Sequence, residues 1–249
     1  MHQRLQRKLF LIEARKCAYC GLIFRYPTDT RNEAAHFYEN AYDGQQATTL
    51  PSKEELERML ETQFENSPFD KSHRVSFIQS ISPNGLLLDF GCSWGYALQQ
   101  FKAAGYKPIG FELAHNRADF GRRALGIDIR TEWETLRADL FGQVDIIYAD
   151  HTLEHTSDLR QPLEGFSQLL KVTGLLIIFV PNGGSLIGRS QGVRWKPYIG
   201  ETHTIAFTDQ WWVNNLPRHG FSIERIFSSA NVSESLYDGE ELVCVARRH

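Results

Sequence analysis

From residue 86 onward, short apolar runs alternate with stretches of helical spacing. "LLLDFG", "KPIGFEL", "IDIR", "VDIIYAD" and "LLIIFVPN" predict strands. "YALQQFKAAG", "HNRADFGRRALG" and "LRQPLEGFSQLLKVTG" predict the helices between them. This alternation is that of a parallel sheet wrapped by helices. The strands are unbroken apolar runs, as expected where both faces are covered. Upstream, "SKEELERMLETQF" (52–64) opens on Ser52 with Glu55 three residues later, the spelling of a capping box. "DKSHRVSFIQSIS" (70–82) predicts another helix, ended by Pro83, Asn84 and Gly85. After a long insert, 183–207, come a helix "DQWWVNNLPRHG" and two strands, "FSIERIFSS" and "ELVCVARRH", close enough to pair antiparallel. Residues 1–50 are mixed and aromatic, with Phe24, Tyr26, Phe37, Tyr38 and Tyr42. The pattern divides the chain into an extension, 1–50, and one domain, 51–249. That domain comprises helices over 51–85, a binding core over 86–182 and the insert.

A length of 249 residues suits one large α/β domain with a small appendage. Hydrophobic content of 42% and charged content of 23% are ordinary globular usage. The net charge of -3 gives no global pull toward nucleic acid. "LLIIFV" (175–180) is too short to span a bilayer, and "MHQRLQRKLFLIEARK" lacks the apolar core of a signal peptide. A cytoplasmic protein without membrane insertion is expected. Four cysteines make no disulfide framework. Cys17 and Cys20 form one Cys-x-x-Cys pair, where a structural zinc normally needs two. The pair reads as a turn closed by Gly21, with zinc shared with other residues or another chain as the alternative.

"LLLDFGCSWGYALQQF" runs from strand through a Gly-containing turn into a helix. Gly91 and Gly95 permit tight backbone and close approach of a ligand at the carboxyl end of the strand. Glu112 ends the next strand, where a carboxylate can accept both hydrogen bonds of a ribose diol; the alternative is a solvated strand end. The dinucleotide fingerprint G-x-G-x-x-G is not met, because Ser93 and Tyr96 hold its later positions. That weighs against an NAD-dependent oxidoreductase.

"LLLDFGCSWG" followed by "GFEL" resembles the class I S-adenosylmethionine-dependent methyltransferases, over 86–182 and more loosely over 183–249. "YADHTLEHTSDLRQPLEGFSQLLKVTGLLIIFVPN" is similar to their fourth strand, acceptor loop, helix and fifth strand. The subgroup is the one with Leu-Glu-His after the fourth strand: ubiquinone-pathway O-methyltransferases and bacterial enzymes acting on sugars and secondary metabolites. The resemblance implies a Rossmann-like, seven-stranded, mostly parallel sheet with antiparallel last strands and helices on both faces. It implies S-adenosylmethionine as cofactor. Asp89, Gly91, Cys92 and Gly95, with Tyr96 nearby, would shape the pocket for its methionine part. Glu112 would hold the ribose, Leu113 would flank the adenine, and Glu132 or Trp133 would contact it. Ala149, Asp150 and His151 would line the sulfonium end. The front of the chain, "RKCAYCGLIFRYPTDTRNEAAHFYENAY", resembles the bacterial members too, but the earlier Cys-x-x-Cys they usually carry is missing.

His151, Thr152, Leu153, Glu154 and His155 spell His-x-x-Glu-His, a zinc-peptidase pattern when it lies on a helix. Here "VDIIYAD" runs straight into His151, so the string belongs to a strand-to-helix junction at the ligand-binding edge of the sheet. Some relatives carry Glu-x-x-Glu-His here with a distal His and bind a divalent cation beside the acceptor oxygen. The matching set is His151, Glu154, His155 and, in "GETHTIAFTDQWW", His203. Imidazoles in place of a carboxylate shift the preference from magnesium toward zinc, manganese or iron. The alternatives are metal-free catalysis with His151 or His203 as general base, and a loop merely tied together by Glu154 and His155. A base favours an oxygen acceptor over a nitrogen one, because an alcohol is a poor nucleophile at neutral pH.

The insert is the expected acceptor lid. Trp195 lies between Arg194 and Lys196 in an irregular segment and is expected in the site; Trp211 and Trp212 are expected in the core. Arg189, Arg194 and Lys196 read as solvated loop charges or as contacts for a phosphate. The expected function is methylation of a small-molecule acceptor, a hydroxyl of a sugar, glycan or secondary metabolite. The alternatives are an RNA 2′-O-methyltransferase, against which the acidic charge weighs, and a non-catalytic S-adenosylmethionine- or partner-binding module.

Overall fold

The structure is a computed structural model. It describes residues 2–8, 12–28, 49–156, 158–200, 203–228 and 239–249. Phe37, Tyr38 and Tyr42, part of the aromatic run of the extension, lie outside the described residues. The chain forms two units, Ala35–Tyr148, and Met1–Ala34 with Ala149–His249.

The chain opens with three antiparallel strands, β1 (His2–Lys8), β2 (Ile12–Cys17) and β3 (Ile23–Tyr26). The hydrophobic pattern does not announce them, because the apolar partners of this sheet lie far along the chain. Among the described side chains of these three strands, Ala14 and Ile23 are the buried apolar positions, and the buried polar one, Glu13, is satisfied by Arg15 at 2.7 Å. Between β2 and β3, Gly21 takes φ +76° and its N–H donates to the Cys17 carbonyl at 3.0 Å. Cys17 and Cys20 sit in this turn, unbridged.

In Ala35–Tyr148, helix α1 (Lys53–Glu61) carries the expected capping box. The Glu55 N–H donates to Ser52 Oγ at 3.2 Å and the Ser52 N–H to Glu55 Oε2 at 2.8 Å. Helix α2 (Ser72–Ile81) ends before Pro83, as expected. Then follow β4 (Leu86–Phe90), α3 (Tyr96–Ala103), β5 (Lys107–Phe111), α4 (His115–Leu125), β6 (Ile129–Arg130), α5 (Trp133–Asp139) and β7 (Val144–Asp150). These strands are parallel, with Leu88 opposite Ile109 on one side and Ile147 on the other. Leu87, Leu88, Ile146 and Ile147 are fully buried, as unbroken apolar runs require.

Gly110 in β5 has no room for a side chain. A Cβ there would lie 2.5 Å from Cys92 Sγ and 2.7 Å from Leu98 Cδ1. Gly110→Ala is therefore expected to destabilise the protein by about 1–3 kcal/mol through overpacking. The check is a lower denaturant midpoint at unchanged slope.

In the unit containing Ala149–His249, helix α6 (Arg160–Leu169) passes directly into β8 (Leu170–Pro181). The helix predicted through Gly174 thus stops five residues early. Val172 and Thr173 are β-branched and stiff at χ1, which disfavours another helical turn, and Gly174 disfavours it further. Next come α7 (Leu186–Gln191), β9 (Ile205–Ala206), α8 (Asp209–Asn215), β10 (Phe221–Ser228) and β11 (Glu241–Arg248). Strand β9 joins the N-terminal sheet, with Ile205 opposite Phe24. Strand β11 runs antiparallel to β8, with Glu241 opposite Pro181, and β10 runs antiparallel to β11. The hydrogen-bonded order of the large sheet is β10-β11-β8-β7-β4-β5-β6, seven strands with the last two in sequence antiparallel, as expected.

Trp195, expected in the site, lies in a buried cluster with Ala14, Ile23, Tyr198, Ile199 and Ala206. Its charged neighbours, Arg194 and Lys196, carry no sign of this burial; the N-terminal sheet provides apolar partners, Ala14, Ile23 and Ala206. Trp211 and Trp212 are buried as expected, and Trp212 stacks on Phe207 at 4.6 Å.

Candidate active site

The loop after β4 is built from left-handed backbone. Gly91, Ser93 and Gly95 take φ of +83°, +51° and +86°. The N–H groups of Gly91 and Cys92 both donate to the Phe111 carbonyl, at 2.8 and 3.1 Å, so the loop is anchored to the end of β5. Glu112 follows at once. Its Oε2 accepts from the Ser93 N–H and its Oε1 from the Ala114 N–H, each at 2.8 Å. A carboxylate has about four lone-pair sites, so accepting capacity remains for a ligand beyond its backbone bonds. Burial pushes the Glu112 carboxyl up, against the pull of the Ala114 N–H and the Arg117 guanidinium. Asp89 and Cys92 are buried. Burial, with the charges of Asp89 and Glu112, pushes the Cys92 thiol well up, so it is no nucleophile.

Tyr96 opens α3 and packs its ring on Phe69 and Trp94, at 5.1 and 5.3 Å. Leu113 is 52% exposed, an apolar side chain on open surface beside Glu112. Glu132 holds the N-cap position of α5 without a capping side-chain bond, and the next residue, Trp133, packs on Phe90 and Phe111. Half-buried Glu112 with unused acceptor sites, beside a loop of positive φ, fits a ligand that brings a diol to the end of β5.

At the end of β7 the chain turns sharply. His151 has φ +51°, a conformation that costs a non-glycine residue about 1–3 kcal/mol. It is held there by three contacts. Its N–H donates to the Phe179 carbonyl at 2.9 Å, its Nδ1 meets Glu154 Oε1 at 3.1 Å, and its Nε2 meets Glu241 Oε1 at 2.9 Å. Burial alone would lower its pKa, but the two carboxylates outweigh it and push the imidazole up to about 10. Both ring nitrogens are engaged.

Glu154 lies in a short 3₁₀ turn, Leu153–His155, and is fully buried. Its Oε2 has no hydrogen-bond partner. Burial pushes its carboxyl up, but His151, His155 and His203 together bring it below the usual range. The rings of His155 and His203 meet edge to face at 4.6 Å. One ligand atom from each of Glu154, His155 and His203 lies within 4.8 Å of the others. His203 is delivered from the insert by its neighbour: the Thr204 N–H donates to the Glu154 carbonyl at 3.0 Å. His203 Nδ1 lies 2.7 Å from the Pro197 carbonyl, which can only accept. Nδ1 therefore carries a proton, and the neutral tautomer compatible with this bond is the one with its lone pair on Nε2.

Of the four residues grouped from the sequence, the structure gathers Glu154, His155 and His203. His151 meets Glu154 at Oε1 but is grouped with Asp150 and Glu241. Glu241 was missed. It lies 90 residues from His151 in sequence, and only the pairing of β11 with β8 brings it there. Cys17 and Cys20 belong to neither group; among the described residues, no third candidate ligand joins them.

A sequence-family model described as a methyltransferase domain matches residues 56–226. The malonyl-[acyl-carrier protein] O-methyltransferase of Yersinia pestis is 24% identical over 139 residues, 55% of this chain and 51% of that protein. The C-methyltransferase NovU of Streptomyces niveus is 27% identical over 115 residues, 45% of this chain and 27% of that protein. The match thus spans about half the length of the first relative and about a quarter of the second. Among solved structures, an S-adenosylmethionine-dependent methyltransferase from Archaeoglobus fulgidus superposes with TM-score 0.58 at 17% identity, covering 77% of this chain and 99% of that one. Geranyl diphosphate C-methyltransferase from Streptomyces coelicolor A3(2), solved with Mg2+, geranyl diphosphate and S-adenosyl-L-homocysteine, gives TM-score 0.52 at 17% identity, covering 88% and 98%. At such identities the structural likeness shows the fold.

Proposed function

The chain belongs to the class I S-adenosylmethionine-dependent methyltransferases, and from that premise we propose that it methylates a hydroxyl of a small molecule, a sugar, glycan or secondary metabolite. The observation that carries this reading is the bond from His203 Nδ1 to the Pro197 carbonyl, which leaves Nε2 as the nitrogen for the base role, in the group that includes buried Glu154. S-adenosylmethionine, when bound, supplies an activated methyl group on a sulfonium. The chain's own task is to hold the acceptor in line and take its proton. Positioning contributes roughly 7–11 kcal/mol in favourable cases, and a general base about 10²–10⁴-fold.

In this reading Asp89, Gly91, Cys92, Gly95 and Tyr96 receive the methionine part of the cofactor. Glu112 accepts from the ribose hydroxyls, Leu113 and Glu132 border the adenine, and Asp150 faces the sulfonium. His203 Nε2 takes the acceptor proton. Fully buried Glu154 and the second imidazole, His155, stabilise the imidazolium that results. His151, engaged at both nitrogens, orients Glu154 rather than acting as base. Residues 51–249 act as the transfer domain, with 183–207 on its acceptor side. Among the described residues, no helix is long and apolar enough to cross a membrane.

A second reading is favoured by the unpartnered Glu154 Oε2. That oxygen, with His155 and His203, fits a divalent cation of borderline softness, zinc, manganese or iron. Such an ion would lower the pKa of a hydroxyl bound to it.

The test is incubation of the full chain with methyl-labelled donor and a panel of sugars, glycans, quinols and RNA ends, with and without chelator. Label on a hydroxyl of a small molecule is expected. Transfer to RNA ends alone, or to none of the panel, would overturn the reading. Loss of transfer with chelator, restored by manganese or zinc, selects the cation; indifference to chelator selects His203 as base.

A further inference from the structure

The unit of Met1–Ala34 and Ala149–His249 holds a cavity of about 440 Å³ that the proposed chemistry leaves unused. Its volume lies within the range of about 300–1,000 Å³ usual for small-molecule sites. Its wall includes Lys16 of β2, Gly183, Gly184 and Tyr198 of the insert, Arg189 of α7 and Asp209 of α8. Two cationic residues and one acidic residue thus line it from three elements of a chain whose net charge is -3. Lys16 makes no ion pair among the described residues, and neither does Asp209. The Arg189 guanidinium is steadied by donating to the Gly184 carbonyl at 2.5 Å. A point-like ammonium and a planar fork from separate elements suit the several terminal oxygens of a phosphate. Asp209 offers an acceptor pair for vicinal hydroxyls. Tyr198 is buried, and burial pushes its phenol up to about 12, so it stays a neutral donor. Where the wall is glycine, a ligand meets backbone rather than side chain.

We propose that this cavity binds a phosphate ester of a polyol, the charged end of the acceptor, with the phosphate at Lys16 and Arg189 and ring hydroxyls at Asp209. The proposal rests on the small-molecule reading above. It connects the cavity to the chemistry through one segment: Tyr198 follows Pro197, whose carbonyl fixes the tautomer of His203.

The test is binding, not turnover, so it stands apart from the proposed reaction. The full chain is titrated calorimetrically with uridine diphosphate, glucose 1-phosphate and inorganic pyrophosphate. S-adenosylhomocysteine binding and the thermal midpoint serve as controls on folding. Lys16→Ala and Arg189→Ala are each expected to weaken the phosphate esters about tenfold or more, the size of a charge-assisted hydrogen bond. Asp209→Asn is expected to weaken the esters and leave pyrophosphate unchanged. Preference for uridine diphosphate or for glucose 1-phosphate then identifies the carrier. If neither ester binds, if Lys16→Ala and Arg189→Ala leave binding intact, or if Asp209→Asn affects pyrophosphate and ester alike, the proposal fails. Absent methyl transfer with this binding intact would count against the proposed reaction and not against the site.

Discussion

Replacing His203 by alanine is expected to lower methyl transfer about 10²–10⁴-fold, the usual contribution of a positioned base, while donor binding stays at the wild-type level. The split follows from placement. His203 is brought in by the insert, tied through Thr204 to the Glu154 loop and through Nδ1 to Pro197. None of those ties reaches the Gly91–Gly95 loop or Glu112, so the donor has no reason to notice the change. Single-turnover transfer and calorimetry with S-adenosylhomocysteine separate the two effects. Added imidazole should restore part of the rate if Nε2 acts as base. Restoration by manganese or zinc but not by imidazole assigns His203 to a cation. Undiminished transfer by His203→Ala would remove it from the chemistry altogether.

The contrast between His203 and His151 shows how far the sequence reaches. Both histidines stand out in it as candidate bases, and spacing places His151, Glu154 and His155 together. It does not say that His151 adopts φ +51° or that a carboxylate 90 residues downstream occupies its second nitrogen. That depends on the register of β11 against β8, which sets Glu241 opposite Pro181. Register between apolar strands buried on both faces leaves no periodic signal in either strand. The parallel core was legible for the converse reason: Leu86–Phe90, Lys107–Phe111 and Val144–Asp150 are separated by helical spacing and glycine turns, local features that require no partner to be read. The N-terminal sheet was not, because its burial comes from Trp195 and Ala206, far along the chain. Trp195 was misplaced for the same reason. An aromatic between two cations looks exposed until the sheet that covers it is known.

Glu112→Ala is expected to reduce donor affinity about 10²-fold or more. Two hydrogen bonds from a ribose diol to an ionised carboxylate contribute about 1.5–3 kcal/mol each. The same substitution removes the acceptors of the Ser93 and Ala114 N–H groups, and Ser93 is held at φ +51°. The loop therefore loses its tie to β5 beyond the bonds that Gly91 and Cys92 make to Phe111, and a fall in stability of about 1–3 kcal/mol should accompany the weaker binding. Glu112→Gln separates the two roles. Its single oxygen can keep one backbone N–H, but its NH₂ cannot accept from the other or from a hydroxyl. It should recover part of the stability and little of the affinity. Calorimetric titration with S-adenosylhomocysteine and denaturant unfolding of both variants measure this. If Glu112→Ala binds donor like the wild type at a lowered unfolding midpoint, Glu112 is a loop anchor alone, and the ribose must find its acceptors elsewhere.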